Sequence, residues 1–364
     1  MKNLVKIADA FCLPSNAETV TPYGCGHIND TYLVQLKCGT KFIMQRVNHN
    51  VFPNVPALMA NIVGVTNYIA EKTSALGKSL SDTLQVINTK SGDNYLVDCN
   101  NYYRMYNFID KAISIETTPT QHQLELSGKG FGVFQKLLNG YPADSLSEPI
   151  ANFHNTEDRL LKFKEAIANN TARRLSGVAE EVEFFLSRAD YATIVTSLIT
   201  AGSIPLRVTH NDTKLNNVLI DIERDEAVAV IDLDTVMPGS ILYDFGDSIR
   251  SGANLGAEDE RDLAKVQFSL DLFRGYTRGF VGEVAAALTS TEIENMAFGA
   301  ILMTYECGMR FLTDYLNGDT YFKVHREGHN LDRARTQIKM VQDMEKVLPQ
   351  MTQIVKDQVE IALK

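Results

Sequence analysis

Tryptophan is absent from this 364-residue chain, and cysteine, at five residues, is scarce and odd in number. Cys12, Cys25, Cys38, Cys99 and Cys307 form no C-x-x-C pair, so the spacing offers neither a disulfide framework nor a zinc cage. A reducing cytoplasm is therefore the expected compartment. Cys25 lies in a glycine-flanked loop, which suits a reactive thiol or an ordinary small loop residue. Basic residues are not in excess: 35 Lys and Arg stand against 45 Asp and Glu, a net charge of -10. That balance argues against a nucleic-acid-binding face and gives no support to an anionic membrane as partner. No stretch approaches the roughly 18 apolar residues of a membrane span. The opening Met1 to Lys6 is soon broken by Asp9, so no signal peptide is expected. A complete phosphate loop is also missing. Gly77-Lys78-Ser79 has the tail of one, but Lys72 stands where the first glycine belongs, and the stretch closes a helix rather than opening one.

What is present is a soluble globular composition, 45% apolar and 22% charged. The length exceeds one ordinary core and implies two lobes, placed at 1–109 and 110–364. The first shows a short helix with Leu4, Ile7, Ala8 and Phe11, stopped by Pro14. Alternating stretches then predict strands at 31–36 and 41–47, joined by the turn Lys37-Cys38-Gly39-Thr40. A helix follows at 57–76 with Leu58, Ile62, Val65 and Ile69 as its buried stripe. Strands at 84–87, 94–98 and 102–109 complete an expected five-stranded, mostly antiparallel sheet. Beyond Asp110 the pattern turns helical, with helices at 121–138, several within 149–202, and at 263–281 and 292–317. Two amphipathic helices separated by Pro349 close the chain. Their expected place is against the helical lobe, a dimer seam being the alternative to a monomer. The fold class is α+β.

One constellation carries chemistry. His210-x-Asp212-x-Lys214-x-x-Asn217 is answered by the apolar strand Val228-Ala229-Val230-Ile231, which ends in Asp232. Transfer of a phosphoryl group needs a carboxylate to orient and deprotonate a hydroxyl, a cation near the moving group, and oxygen ligands for a hard divalent ion. Asp212, Lys214 and the pair Asn217 and Asp232 supply these in turn. A surface turn rich in Asn and Asp is the bland alternative. The joint spacing, flanked by apolar strands, disfavours it.

This stretch resembles the catalytic loop of the protein-kinase-like superfamily, and most closely that of the aminoglycoside phosphotransferase family. The loop is followed by Ile231-Asp232-Leu233-Asp234 and by Pro238-Gly239 through Tyr243-Asp244-Phe245-Gly246-Asp247, as in that family. The resemblance implies a two-lobed kinase-like fold with Mg-ATP between an N-terminal sheet lobe and a larger helical lobe. It implies Asp212 as base, Asn217 and Asp232 as magnesium ligands, and His210 and Asp244 as braces. Gly24 and Gly26 fall on the nucleotide-covering hairpin, where Asn29 stands in place of a third glycine. Tyr106, Asn107, Phe108 and Ile109 fall on the adenine hinge. The strand that usually carries a nucleotide-binding lysine here has Gln45, then Arg46.

More narrowly, Tyr23-Gly24-x-Gly26-His27-Ile28-Asn29, the run from Pro205 to Asn217, Ile231 to Thr235, and Glu306 to Leu316 with Asp319-x-Tyr321-Phe322 resemble the N-acetylhexosamine 1-kinase branch. That similarity implies phosphorylation of the anomeric hydroxyl of N-acetylglucosamine or N-acetylgalactosamine, with His27, Arg310 and Tyr321 as candidate sugar contacts. Arg310 is equally compatible with an ion pair to Glu306, and His27 with bracing its loop. Rival acceptors are aminoglycosides, choline and other sugars. Choline would favour an aromatic cage, which the absence of tryptophan disfavours. A catalytically silent nucleotide-binding module and a two-metal hydrolase using Asp212, Asp232 and Asp234 are the rivals from other classes.

Overall fold

The computed structural model describes residues 2–24, 28–115 and 119–364. Cys25, Gly26 and His27 lie outside the described residues. After α1 (Lys2–Ala8), strands β1 (Ala17–Pro22), β2 (Asp30–Leu36) and β3 (Lys41–Val47) run antiparallel. Helix α2 (Val55–Ala75) intervenes before β4 (Leu96–Asp98) and β5 (Asn101–Asn107), and the sheet order is β1-β2-β3-β5-β4. Gly39, at φ 87, makes the tight β2–β3 turn in a left-handed conformation open to glycine. Asn54 caps α2 by accepting from the Ala57 amide at 3.2 Å, and a proline sits in its first turn where no amide partner is needed.

Two strand expectations are corrected. Residues 84–87 form only a bridge, Val86 to Tyr106, and the fifth strand is β1. The outer edge of β5 is divided: its start pairs with β4, while near its end Met105 accepts from the Ile87 amide and Asn107 donates to the Gln85 carbonyl. Neither partner can therefore lengthen. β1 carries one large apolar residue, Val20, inside Ala-Glu-Thr-Val-Thr-Pro, too little for alternation to register.

Beyond the sheet come β6 (Ala112–Ile113), α3 (Gln121–Leu137), α4 (Thr156–Asn169), α5 (Ala179–Leu186) and α6 (Tyr191–Thr200). The region around His210 to Asp234 is built from β7 (Arg207–Thr209), β8 (Val218–Asp221), β9 (Glu226–Val230), β10 (Met237–Gly239) and α7 (Ile241–Gly252). Then follow α8 (Leu270–Val284), α9 (Ser290–Asn317) and α10 (His329–Ala362). Small sheets β6-β8-β9 and β7-β10 set the edges of the candidate site.

Three helical expectations are also corrected. Residues 263–269 are not helical; α8 starts after Ser269, whose hydroxyl accepts from the Leu272 amide. α7 was not foreseen: it is buried nearly all round, which erases the apolar stripe that marks a surface helix. The last two helices are one. Pro349 sits on the exposed face of α10, while Val341 and Met344 before it and Met351, Ile354 and Val355 after it stay buried. Burial on both sides outweighs the roughly 3 kcal/mol that an internal proline costs.

A small apolar cluster (Phe11, Val34, Leu36, Met44, Met105) lies against the sheet. Leu58, Ile62 and Val65 of α2 instead join the main core with α3 to α10. Among the described residues no helix is long and apolar enough to cross a membrane. α7 and α9 cross very closely. A Cβ on Gly246 would lie 2.2 Å from the Gly299 carbonyl oxygen, a backbone atom that cannot swing aside. Gly246→Ala is expected to destabilise by about 1–3 kcal/mol, as overpacking does. Thermal melting checks it, and an unchanged melting temperature would contradict the tight crossing.

Candidate active site

The loop leaving β7 is held by one buried carboxylate. Asp244, in the first turn of α7, accepts the backbone amides of His210 (2.9 Å) and Asn211 (2.8 Å), and Gln135 donates to it at 2.7 Å. Burial raises its pKa, and those donors pull the other way. They allow Asn211 its left-handed backbone, φ 63. His210 is buried against Phe131 and Phe134. Its Nε2 donates to the Ile231 carbonyl at 2.9 Å, and its Nδ1 accepts the Asp212 amide at 3.3 Å. Both ring nitrogens are thus engaged with backbone.

Asp212 meets the Lys214 ammonium at 2.7 Å. Burial pushes the Asp212 pKa up, but Lys214 outweighs it and the net shift is downward. Asp212 in turn raises Lys214, so both stay charged. Asn217 donates its amide to the Asp212 carbonyl (2.8 Å) and approaches the carboxylate at 3.3 Å. That use of the nitrogen leaves Oδ1 as the atom suited to a cation.

Asp232 has left-handed backbone, φ 60 and ψ 57. It is exposed to water on one side, yet the protein packed about it, with the Asp234 and Asp212 carboxylates, pushes its pKa up to about 6. A carboxylate among like charges and an amide oxygen form a donor set that suits a hard divalent cation keeping part of its water. The same crowding has a stability consequence. A carboxyl whose folded pKa lies above its unfolded value costs stability as pH rises from about 4, and the full cost is present above about 6. Asp232→Asn is therefore expected to melt higher than the parent at pH 7–8 without metal, with the gain vanishing near pH 4. Melting curves across that range check the sign.

The place of the missing strand lysine is occupied by a relay. Arg46 turns outward to Asp30. Gln45 lies directly across from Arg104 of β5, and its Oε1 accepts from Nε (3.0 Å) and Nη2 (2.8 Å) while its amide donates to Thr31. Arg104 is 0% exposed and pairs with Asp234, whose other oxygen accepts from Asn29 at 2.5 Å. Burial alone would lower the Arg104 pKa, but Asp234 raises it, so the guanidinium stays charged. Each Asp234 oxygen thus takes one donor, from Arg104 and from Asn29. Arg104 and Asn29 are the residues sequence reasoning missed here; a lone arginine among the aromatics of Tyr102-Tyr103-Arg104 was the available signal.

Gly24 adopts φ 73 beside the hairpin tip, and Gly26 and His27 lie outside the described residues. Of the four residues expected at the adenine hinge, Tyr106 and Ile109 are buried and Phe108 is half-buried against Tyr23 and Lys41. Asn107 is committed to the 83–85 segment: its amide donates to the Gln85 carbonyl, and its side chain bridges Thr83 and Gln85.

On α9, Arg310 lies 3.7 Å from Glu306 and stands over the rings of Phe153 and Phe322. Glu306 is fully buried. Burial pushes its pKa up, yet His154 and Arg310 hold it below the usual range. His154, another missed residue, joins Glu306 (2.9 Å) to the Asn211 carbonyl (3.1 Å). Arg310 is thereby linked through Glu306 and His154 to the residue before Asp212. Tyr321 is exposed, on a turn that Asp314 fixes by accepting the amides of Thr320, Tyr321 and Phe322.

Residues 19–279 match the phosphotransferase enzyme family. The fold is similar to an aminoglycoside phosphotransferase from Alicyclobacillus acidocaldarius subsp. acidocaldarius, with TM-score 0.61 and 9% identity over 97% of this chain and 96% of that one. It is also similar to amicoumacin kinase hAmiN in complex with AMP-PNP, Ca2+ and Ami, with TM-score 0.58 and 12% identity over 93% and 92%. Choline kinase from Cryptosporidium parvum Iowa II gives 0.55 and 13% over 96% and 97%. At such identities the likeness is one of fold, the two-lobed, kinase-like α+β architecture expected from the sequence.

Proposed function

The chain belongs to the phosphotransferase enzyme family, and from that premise we propose that it transfers the γ-phosphoryl group of ATP to the anomeric hydroxyl of an N-acetylhexosamine. The products are the sugar 1-phosphate and ADP, and the setting is cytoplasmic. Residues 1–109 cover the nucleotide, with Gly24, Gly26, Gln45 and the Tyr106–Ile109 hinge on that side; residues 110–364 hold the acceptor. The Asp212 carboxylate, kept ionised beside Lys214, accepts the anomeric proton as the sugar oxygen attacks phosphorus and the bond to the departing ADP oxygen breaks. Lys214 places its ammonium beside the moving phosphoryl. Asn217 and Asp232 would hold Mg2+, which when bound neutralises polyphosphate charge. His210 and Asp244 keep the loop in shape.

The observation that supports the acceptor class is the Arg310 guanidinium, which stands over the Phe153 and Phe322 rings with a second guanidinium near it. Arg159 is close enough for the two guanidiniums to repel, and the nearby Glu306 is already held by His154 and Arg310. A polycationic aminoglycoside or a choline cation would be repelled there, whereas a neutral sugar offers hydroxyls and an acetamide oxygen to guanidinium donors. With Tyr321 and His27, Arg310 is assigned to the sugar. Arg310→Ala is expected to raise the sugar KM by about 10–100-fold with the ATP KM unchanged. ADP release with a panel of N-acetylhexosamines, choline and an aminoglycoside tests the proposal. Release that depends on N-acetylhexosamine supports it; release only with an amine acceptor, or phosphate release without any acceptor, contradicts it.

A further inference from the structure

Asp232 sits in a strained left-handed conformation, and such strain persists only where its surroundings determine it. On the catalytic-loop side the determinants are plain. The Ile231 amide donates to the Asn217 carbonyl at 2.9 Å, and the Ile231 carbonyl accepts from His210. The Thr235 hydroxyl donates to the His210 carbonyl at 2.7 Å, and the Thr235 carbonyl accepts from Asn211. On the sheet side the grip on this segment is the pair of bonds to Asp234, one from Arg104 of β5 and one from Asn29, just before β2 at the loop end of the β1–β2 hairpin.

We infer that Arg104 is a positioning residue, which grips Asp234 so that Asp232, two residues earlier, faces a divalent cation in ligating geometry. Asn29 ties the hairpin to the same carboxylate. Gln45 is the splint: its carbonyl oxygen takes two guanidinium N–H groups and aims the third nitrogen at Asp234. The sheet that covers the nucleotide and the strand end that holds the metal are thus set by one anion. Full burial of an arginine is tolerated because its fork is satisfied on both sides.

The inference rests on the proposed nucleotide site but not on the identity of the acceptor, so its test uses AMP-PNP and no sugar. Binding is measured by calorimetry with and without Mg2+, well below the melting temperature of each variant. For Arg104→Gln the expected result is at least tenfold weaker binding of Mg·AMP-PNP, with metal-free AMP-PNP changed less than twofold. An equal loss with and without Mg2+ would make Arg104 a direct phosphate ligand and overturn the inference. The swap Q45R/R104Q moves the guanidinium to the residue directly opposite and is expected to recover most of the Mg2+-dependent affinity. A folded swap without recovery would overturn it. Should Arg104→Gln not fold, Asn29→Ala removes the bond to Asp234, together with the acceptor of the Asn48 amide, and leaves Arg104 in place; it is expected to weaken Mg·AMP-PNP threefold or more with metal-free AMP-PNP changed less than twofold, and no change there would also overturn the inference. A parent protein that binds Mg·AMP-PNP yet phosphorylates no sugar would refute the acceptor assignment and leave this test standing.

Discussion

Asp212→Asn is expected to lower kcat by about 10²–10⁴-fold, the usual worth of a positioned general base, while ATP and sugar still bind. The amide keeps the shape of the carboxylate and can still accept from Lys214, so the loop should hold. What it loses is the capacity to take a proton. The parent carboxylate is well prepared for that task, because Lys214 keeps it ionised despite its surroundings. Steady-state rates together with binding of sugar and AMP-PNP by calorimetry separate the two effects. A near-normal rate would remove Asp212 from the role of base.

Asp244→Ala is expected to act through the fold. Four donor contacts converge on this carboxyl and on the backbone beside it: the His210 and Asn211 amides, the Gln135 side chain, and the Thr213 hydroxyl at the Asp244 carbonyl. Truncation strands the two amides and one Gln135 N–H, whose side chain keeps only the Val208 carbonyl, in a site closed to water, and removes the brace for the left-handed Asn211. Breaking a buried, charge-assisted network of this kind costs about 3–5 kcal/mol. Chemical denaturation should show that loss, with activity falling in parallel. The contrast with Asp212→Asn, in which the fold should survive and chemistry fail, distinguishes the bracing acid from the reacting one.

How much of this was legible in the sequence follows from distance along the chain. Asp212, Lys214, Asn217 and Asp232 lie within one short stretch, where polar residues at fixed spacing interrupt apolar strands, so local pattern suffices. Arg104 and Asn29 reach Asp234 across 130 and 205 residues, and nothing in the strand pattern encodes a pairing of that kind. The same holds for His154, 57 residues from the loop it supports and 152 from Glu306. The β2–β3 hairpin and α3 were readable from alternation and helical period. α7 was not, because a helix buried on every side has no polar face to set the period. β1 borrowed its place from the free edge of β2 rather than from its own composition. Pro349 reads as a break between two amphipathic helices because an internal proline removes a helical hydrogen bond, and only burial on both sides of it carries the helix through.

Transfer to the anomeric hydroxyl is tested most directly by where the phosphate goes. Incubation with ATP, Mg2+ and N-acetylglucosamine or N-acetylgalactosamine, followed by phosphorus NMR of the sugar product, reads that position. The expected result is a phosphate coupled to the anomeric proton, formed one-for-one with ADP and absent with Asp212→Asn. A phosphate on any other hydroxyl, or ADP formed at the same rate without sugar, would contradict it.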